Sequence, residues 1–264
     1  MNRIDTTFEK CRANGRKALV MFVSAGDPDL AATETLIREI VAAGADVVEI
    51  GVPFSDPMAD GPTIQEASQR ALASGTNLKG ILAMVRRLRA SGVEAPFVLF
   101  SYYNVLLSHG MPKLSADAAE AGIDGVLIVD VPYEEMGEVV PDLDANGLHL
   151  IRLVAPTTSA DRASKILADA KGFVYTITVT GVTGARTELP AELGDLLVRM
   201  GQASPVPVVA GFGVSSPEMA ALVSAKADGV VVGSALVKRM ASDKPVAERI
   251  AECRAFVQSL SDVL

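Results

Sequence analysis

Apolar residues in this chain come in eight short, almost unbroken runs, at 19–24, 47–50, 97–100, 126–129, 148–154, 173–177, 206–210 and 229–232. Runs of this length without polar alternation are what strands covered on both faces require, and such strands belong to parallel sheets. The stretches between them change period. Leu30, Ile37, Ile40 and Val41 share one helical face, as do Leu78, Ile81, Leu82 and Val85, and again Ala163, Ile166, Leu167 and Ala170. Ser216, Pro217 and Glu218 read as an N-cap, a proline at the first helical position and an early acid. Repeated strand-then-helix alternation predicts βα units. Eight of them are enough for a closed (β/α)8 TIM barrel, an α/β fold, with a doubly wound open sheet as the alternative. An amphipathic piece at 4–11 precedes the first run and is expected to plug the barrel bottom as an extra N-terminal helix. No linker or low-complexity segment divides the chain, so residues 1–264 are expected to form a single domain.

A weak internal repeat accompanies the alternation. Ala43-Gly44-Ala45-Asp46, Ala121-Gly122-Ile123-Asp124 and Ala225-Lys226-Ala227-Asp228 each end a helix and open a strand, ahead of the second, fourth and eighth runs. Glycine suits the turn at a helix C-terminus, and aspartate the turn into the sheet. Turns of this kind recur in α/β proteins generally, so the repeat alone decides little.

Composition narrows the function. The net charge is −8. Sequence-independent nucleic-acid binding needs a basic surface and is not expected. A small phosphorylated ligand stays open, because backbone N–H groups hold a phosphate without net positive charge. Cys11, Cys253, His109 and His149 have neither zinc-ligand spacing nor the look of a disulfide framework, so no metal site is expected and both histidines read as structural. The N-terminus lacks an apolar signal core and no apolar run approaches the ~18 residues of a membrane span. A cytoplasmic protein without membrane contact is the expectation.

In a barrel, chemistry sits where strands end and the following loops begin. The most informative segment is 48–67, VEIGVPFSDPMADGPTIQEA. Glu49 stands inside an apolar strand, where a carboxylate must be paired or must shift its pKa, and either suits acid–base work. The loop beyond it carries Pro53, Pro57, Pro62, Ser55, Asp56 and Asp60. It is longer than a plain βα connection, and Asp60 can swing over the barrel mouth. A pair of carboxylates in different environments can divide acid and base roles. The competing readings are a Glu49 paired with a lysine or arginine inside the barrel, and aspartates that only form turns. After the sixth run, Gly181, Thr183 and Gly184 suit a lid that touches phosphate, while Arg186 reads equally as phosphate ligand or surface residue. Glycine turns follow the seventh run (211–217) and the eighth (232–235), the second opening a helix, which matches the usual phosphate site of these barrels. Tyr102, Tyr103 and Tyr133 stand at the ends of the third and fourth runs, where they orient a substrate or pack. Phe22, Phe100 and Leu127 are either an apolar wall for an aromatic substrate or core.

These segments in their order resemble the tryptophan synthase alpha-subunit family. FVSAGDPD, VEIGVPFSDPMADGPTIQEA, YYN, AGIDGVLIVDVPYEE, LIRLVAPTTS, GVTGAR, GFGVSS and VGSALV run from about residue 20 to 237. The stretch from Glu49 to Gln65 is the specific one. The resemblance implies a lyase: retro-aldol cleavage of indole-3-glycerol phosphate to indole and glyceraldehyde 3-phosphate, in tryptophan biosynthesis. It assigns Glu49 as general acid–base, Asp60 to the indole N–H, and a supporting hydroxyl to Tyr175. Phosphate contacts fall on Gly184, Gly213, Gly233 and Ser234. The indole pocket falls on Phe22, Phe100, Leu127, Thr183 and Phe212. The resemblance further implies no cofactor in this chain, and an alpha2–beta2 complex with a beta subunit that carries pyridoxal phosphate. The chain departs from the family pattern at Val105, at Val129-Asp130-Val131-Pro132 and at Thr178-Val179-Thr180, surfaces the family uses for docking and lid closure. Alternatives are a free-standing lyase that releases indole, a mainly regulatory subunit, and an unrelated phosphosugar-binding barrel.

Overall fold

A computed structural model describes residues 1–177, 191–211 and 213–264. In chain order the elements are α1 (Arg3–Ala13), β1 (Ala18–Ser24), α2 (Leu30–Ala42), β2 (Val47–Gly51), α3 (Pro62–Ala73), α4 (Leu78–Ala90) and β3 (Phe97–Ser101). Then come α5 (Tyr103–His109), α6 (Met111–Ala121), β4 (Gly125–Ile128), a 3-10 turn (Tyr133–Glu138), α7 (Val140–Ala145), β5 (His149–Leu150) and β6 (Arg152–Val154). The remainder is α8 (Ala160–Leu167), β7 (Val174–Ile177), α9 (Ala191–Ala203), β8 (Val208–Gly211), α10 (Pro217–Ser224), β9 (Gly229–Val232), α11 (Ser234–Met240) and α12 (Val246–Ser261).

Every strand pairing is parallel, in the order β5-β4-β3-β2-β1-β9-β8-β7-β6. The two ends of that order, β5 and β6, are consecutive in the chain with Ile151 between them, so the sheet closes on itself as the expected TIM barrel. The one run expected at 148–154 is thus two short strands. Residues before Ile151 pair with β4 and residues after it with β7, while the Ile151 N–H still donates to the Val126 carbonyl at 2.9 Å. The stagger between tilted neighbours that closes a barrel accounts for this exchange of partners.

Alternation along the strands separates two cores. Outward residues such as Leu19, Met21 and Val23 pack under the helices, together with Leu36, Ile37 and Ile40 of α2 and Ile81, Leu82 and Val85 of α4. On α2, Leu36 joins the buried face, while Leu30 and Val41 pack against it partly buried. Inward residues Ala18, Val20, Val47, Val98, Leu127, Ile151, Phe173, Val209 and Val231 form a second cluster. Ile4, Phe8 and Cys11 of α1 belong to it, so the N-terminal helix does plug the barrel. Their i, i+4, i+7 spacing places them on one face. Asn2 starts the helix by accepting the Ile4 N–H at 2.9 Å, and Phe8 meets Phe173 with ring centroids 5.5 Å apart.

The three aspartates of the repeat perform one task. Each precedes a strand and ties it to a neighbour at the N-terminal end of the barrel. Asp46 accepts from the Leu19 N–H at 2.8 Å, Asp124 from Phe97 at 2.8 Å and Asp228 from Val208 at 2.9 Å. In return each aspartate's own N–H donates to the carbonyl of the same residue. A backbone pair at a strand start is thereby satisfied twice, which a buried strand end needs.

Candidate active site

At the C-terminal end of the barrel the same alternation brings different residues inward. β2 presents Val47, then Glu49, then Gly51; β1 places Phe22 beside Glu49 in register, and β3 places Phe100 beside Gly51. A side chain at Gly51 would begin 2.5 Å from Cζ of Phe22, so the glycine makes room for that ring. Phe22 and Phe100 meet edge to face with centroids 5.1 Å apart. Above them lies a cavity of about 180 Å3 lined by Phe22, Glu49, Asp60, Ile64, Phe100, Tyr175, Gly211, Gly213, Val231, Gly233 and Ser234.

Glu49 is 0% exposed, and neither carboxylate oxygen has a hydrogen-bond partner among the described residues. The alternative of an internal lysine or arginine partner is therefore not what these residues show. Burial without compensation favours the neutral form and pushes its pKa to about 8. Asp60 reaches the cavity from the loop between β2 and α3. Burial raises its pKa too, but a hydrogen bond from the Tyr102 hydroxyl at 3.0 Å opposes the rise. Tyr175, on β7 and half-buried, is held neutral by burial and by the nearby charges of Glu49 and Asp60. Its ring lies so close to β8 that a side chain at Gly211 would start 2.4 Å from it. Arg70, in the last turn of α3, grips Asp27 of the loop between β1 and α2 with two hydrogen bonds of 2.8 Å.

Of the sequence-predicted residues, Glu49, Asp60, Tyr175, Phe22, Phe100, Gly213, Gly233 and Ser234 converge on this one cavity. Leu127 does not line it: it is fully buried in the inner cluster below. Thr183, Gly184 and Phe212, like Gly181, Arg186 and Thr178-Val179-Thr180, lie outside the described residues. Ile64 and Val231 line the cavity without having been singled out, and Gly211, the first residue of the glycine turn after the seventh run, joins them. Asp130 and Tyr103, beside the family departures, tie two loops together: Asp130 accepts the Tyr103 N–H at 2.7 Å, and the Tyr103 hydroxyl donates to Glu138 at 3.0 Å. His109 pairs with Asp117 at 2.8 Å and His149 with Asp5 at 3.0 Å, both away from the cavity. Among the described residues no group of three His, Cys, Asp or Glu could hold a metal ion.

Residues 8–263 match the family model for the tryptophan synthase alpha chain. The chain is 52% identical to the tryptophan synthase alpha chain of Geobacter sulfurreducens, over 100% of this chain and 99% of that one. The chain belongs to the tryptophan synthase alpha chain family. The solved alpha subunit of Legionella pneumophila str. Paris superposes with a TM-score of 0.91 at 38% identity, covering 100% of this chain and 98% of that one. A chain of tryptophan synthase from M. tuberculosis, in an aminoacrylate-bound form, gives 0.87 at 32% identity, covering 99% and 98%. As a tryptophan synthase alpha chain the protein is a lyase that cleaves indole-3-glycerol phosphate in tryptophan biosynthesis.

Proposed function

We propose that Glu49 and Asp60 divide the work of the cleavage, with Tyr175 beside them. The observation that carries this reading is a fully buried, unpartnered Glu49 facing the same cavity as Asp60. With a pKa near 8, Glu49 holds a proton at neutral pH and can deliver it to indole C3. Protonation at C3 places positive charge on the ring nitrogen, which the Asp60 carboxylate balances. Glu49, now ionised, takes the proton of the glycerol hydroxyl as the carbon–carbon bond breaks. Its starting state returns, and indole and an aldehyde leave. Phe22 and Phe100 supply the apolar wall for the indole, with Thr183 and Phe212 carried over from the family pattern. Gly213, Gly233 and Ser234 line the end of the cavity where glycine turns suit a phosphate, and Gly184 joins them by resemblance.

The whole of 1–264 is read as one domain on this barrel. The chain needs no cofactor of its own, and its partner is a beta subunit that carries pyridoxal phosphate. Met58, 88% exposed on the loop that carries Asp60, and Leu107, 51% exposed on α5, support a partner surface at this end of the barrel. No described helix is long and apolar enough to cross a membrane, which fits a cytoplasmic setting. The test is indole release from indole-3-glycerol phosphate by the purified chain, alone and with a beta subunit added. Slow release that rises sharply with the partner is expected, and Glu49→Gln should lower it by roughly 10³-fold or more in both conditions. Fast release indifferent to the partner would favour the free-standing lyase. Undiminished release by Glu49→Gln would remove Glu49 from the mechanism.

A further inference from the structure

Asp60 is held from two sides by residues that reach it across the sequence. Tyr102 follows β3, two positions beyond Phe100. Its hydroxyl accepts the Ala59 N–H at 3.0 Å and donates to Oδ2 of Asp60 at 3.0 Å. Its ring lies against Phe54 with centroids 5.0 Å apart. Gln65, in the first turn of α3, donates to the Asp60 carbonyl at 2.9 Å and to the Pro57 carbonyl at 3.4 Å. Tyr102 is 3% exposed, and the residues lining the cavity include Asp60 but not Tyr102.

We propose that Tyr102 is a positioning residue for Asp60: the Ala59 N–H fixes the phenol oxygen, the phenol proton goes to Oδ2, and Oδ1 is left for the substrate's indole nitrogen. A phenol both donates and accepts, so its rotation is settled only when one of those roles is taken. Here the backbone takes the acceptor role. The donated bond is charge-assisted, the stronger kind, and it favours the ionised form of the carboxyl against the upward pull of burial on its pKa. Burial and the Asp60 charge push the Tyr102 phenol itself far above its usual range, so it remains a donor at any working pH. Gln65 acts on the backbone only. It sets where residue 60 begins, whereas Tyr102 sets where the carboxylate points and its charge.

This inference rests on the reading of Asp60 as the group that faces the indole nitrogen. Tyr102→Phe keeps the ring on Phe54 and removes only the hydroxyl. In the full-length chain the Asp60 carboxyl is titrated by 13C NMR, with Asp60→Asn assigning its signal, and indole release is measured over the same pH range. Losing a donor destabilises the carboxylate, so the Asp60 titration should move up by about one unit and kcat fall about ten-fold, since one unit is worth ~1.4 kcal/mol. KM should change less than two-fold, and the acid limb of the rate profile should shift up with the titration. On an Asp60→Asn background the same change should add less than a two-fold loss. An unmoved Asp60 titration, or a full ten-fold further loss on that background, overturns the proposal. If Asp60→Asn alone keeps a near-normal rate, the role given to Asp60 fails. A shifted titration in Tyr102→Phe would still uphold the positioning.

Discussion

The two ends of the barrel treat buried carboxylates in opposite ways. At the N-terminal end, Asp124 is 4% exposed and accepts from the Phe97 N–H, from Arg89 at 2.7 Å and from Arg3 at 3.0 Å. At the C-terminal end, Glu49 is 0% exposed and accepts from none of the described residues. The first arrangement satisfies a charge that holds strands and plug together. The second leaves a carboxyl uncompensated, which a fold tolerates where the group is needed for something else. On the proposed reading, stability is built at one mouth and reactivity at the other, the division this architecture favours. Both groups have raised pKa values because burial is the largest influence on each, yet only Asp124 has cations to oppose it.

The largest effect should come from Glu49→Gln, read as stability rather than rate. The folded state keeps the Glu49 proton up to about pH 8, while the unfolded chain releases it near the ordinary value of 4.5. Between those values the folded state binds more protons, so stability is complete below the lower pH and falls as pH rises through the upper one. The glutamine variant lacks that slope. Its advantage over the native chain in denaturant unfolding should widen by about 1.4 kcal/mol per pH unit from roughly pH 5 to 8. A constant difference across that range would mean that Glu49 is ionised in the folded protein, and the contrast between the two mouths would collapse.

At the other end, Asp124→Ala should destabilise by roughly 3 kcal/mol, because it takes from Arg89 its carboxylate partner, leaving only carbonyls to accept from it, and leaves the Phe97 N–H without its acceptor. Asp124→Asn should lose less, since its amide oxygen can still accept from Phe97. Chemical denaturation gives the stabilities, and kcat/KM for indole release should stay within two-fold in both variants. A fall in kcat/KM that tracks the lost stability would show the two ends to be coupled rather than divided.

Much of the fold could be read from the chain because it rests on local pattern. The uninterrupted apolar runs mark strands covered on both faces, and the spacing of Ile4, Phe8 and Cys11 marks the plug. Glu49 was conspicuous for a simple reason, an ionisable side chain inside an apolar strand. What escaped depends on height along the barrel axis and on contacts distant in sequence. Leu127 and Phe100 are direct neighbours in register, yet Phe100 borders the cavity and Leu127 lies in the core beneath it. Period-two alternation tells inside from outside but not depth, which is set by the stagger of tilted strands. Likewise the Tyr102–Asp60 bond spans 42 residues, and no local pattern announces it. The partner exchange at Ile151 was hidden because one continuous run and two short strands look alike in sequence.

The smallest effect separates the two mouths most cleanly, because it compares one substitution at both. Gly213 has φ +52° and borders the cavity, while Gly92, between α4 and β3 at the opposite end, has φ +87°. Among the described residues, a Cβ at either position would meet no atom within 4 Å. Alanine should therefore cost about 1–2 kcal/mol at each site, from left-handed backbone strain alone. Their catalytic consequences should differ. With phosphate seated at that turn as proposed, a methyl at Gly213 crowds it, so KM for indole-3-glycerol phosphate should rise several-fold while kcat changes less. At Gly92 the same strain is stored far from any ligand, and both constants should be unchanged. Equal KM values in the two variants would make the turn at 213 a structural feature only. A raised KM at Gly213 alone would place the phosphate at that turn and keep ligand binding to one end of the barrel.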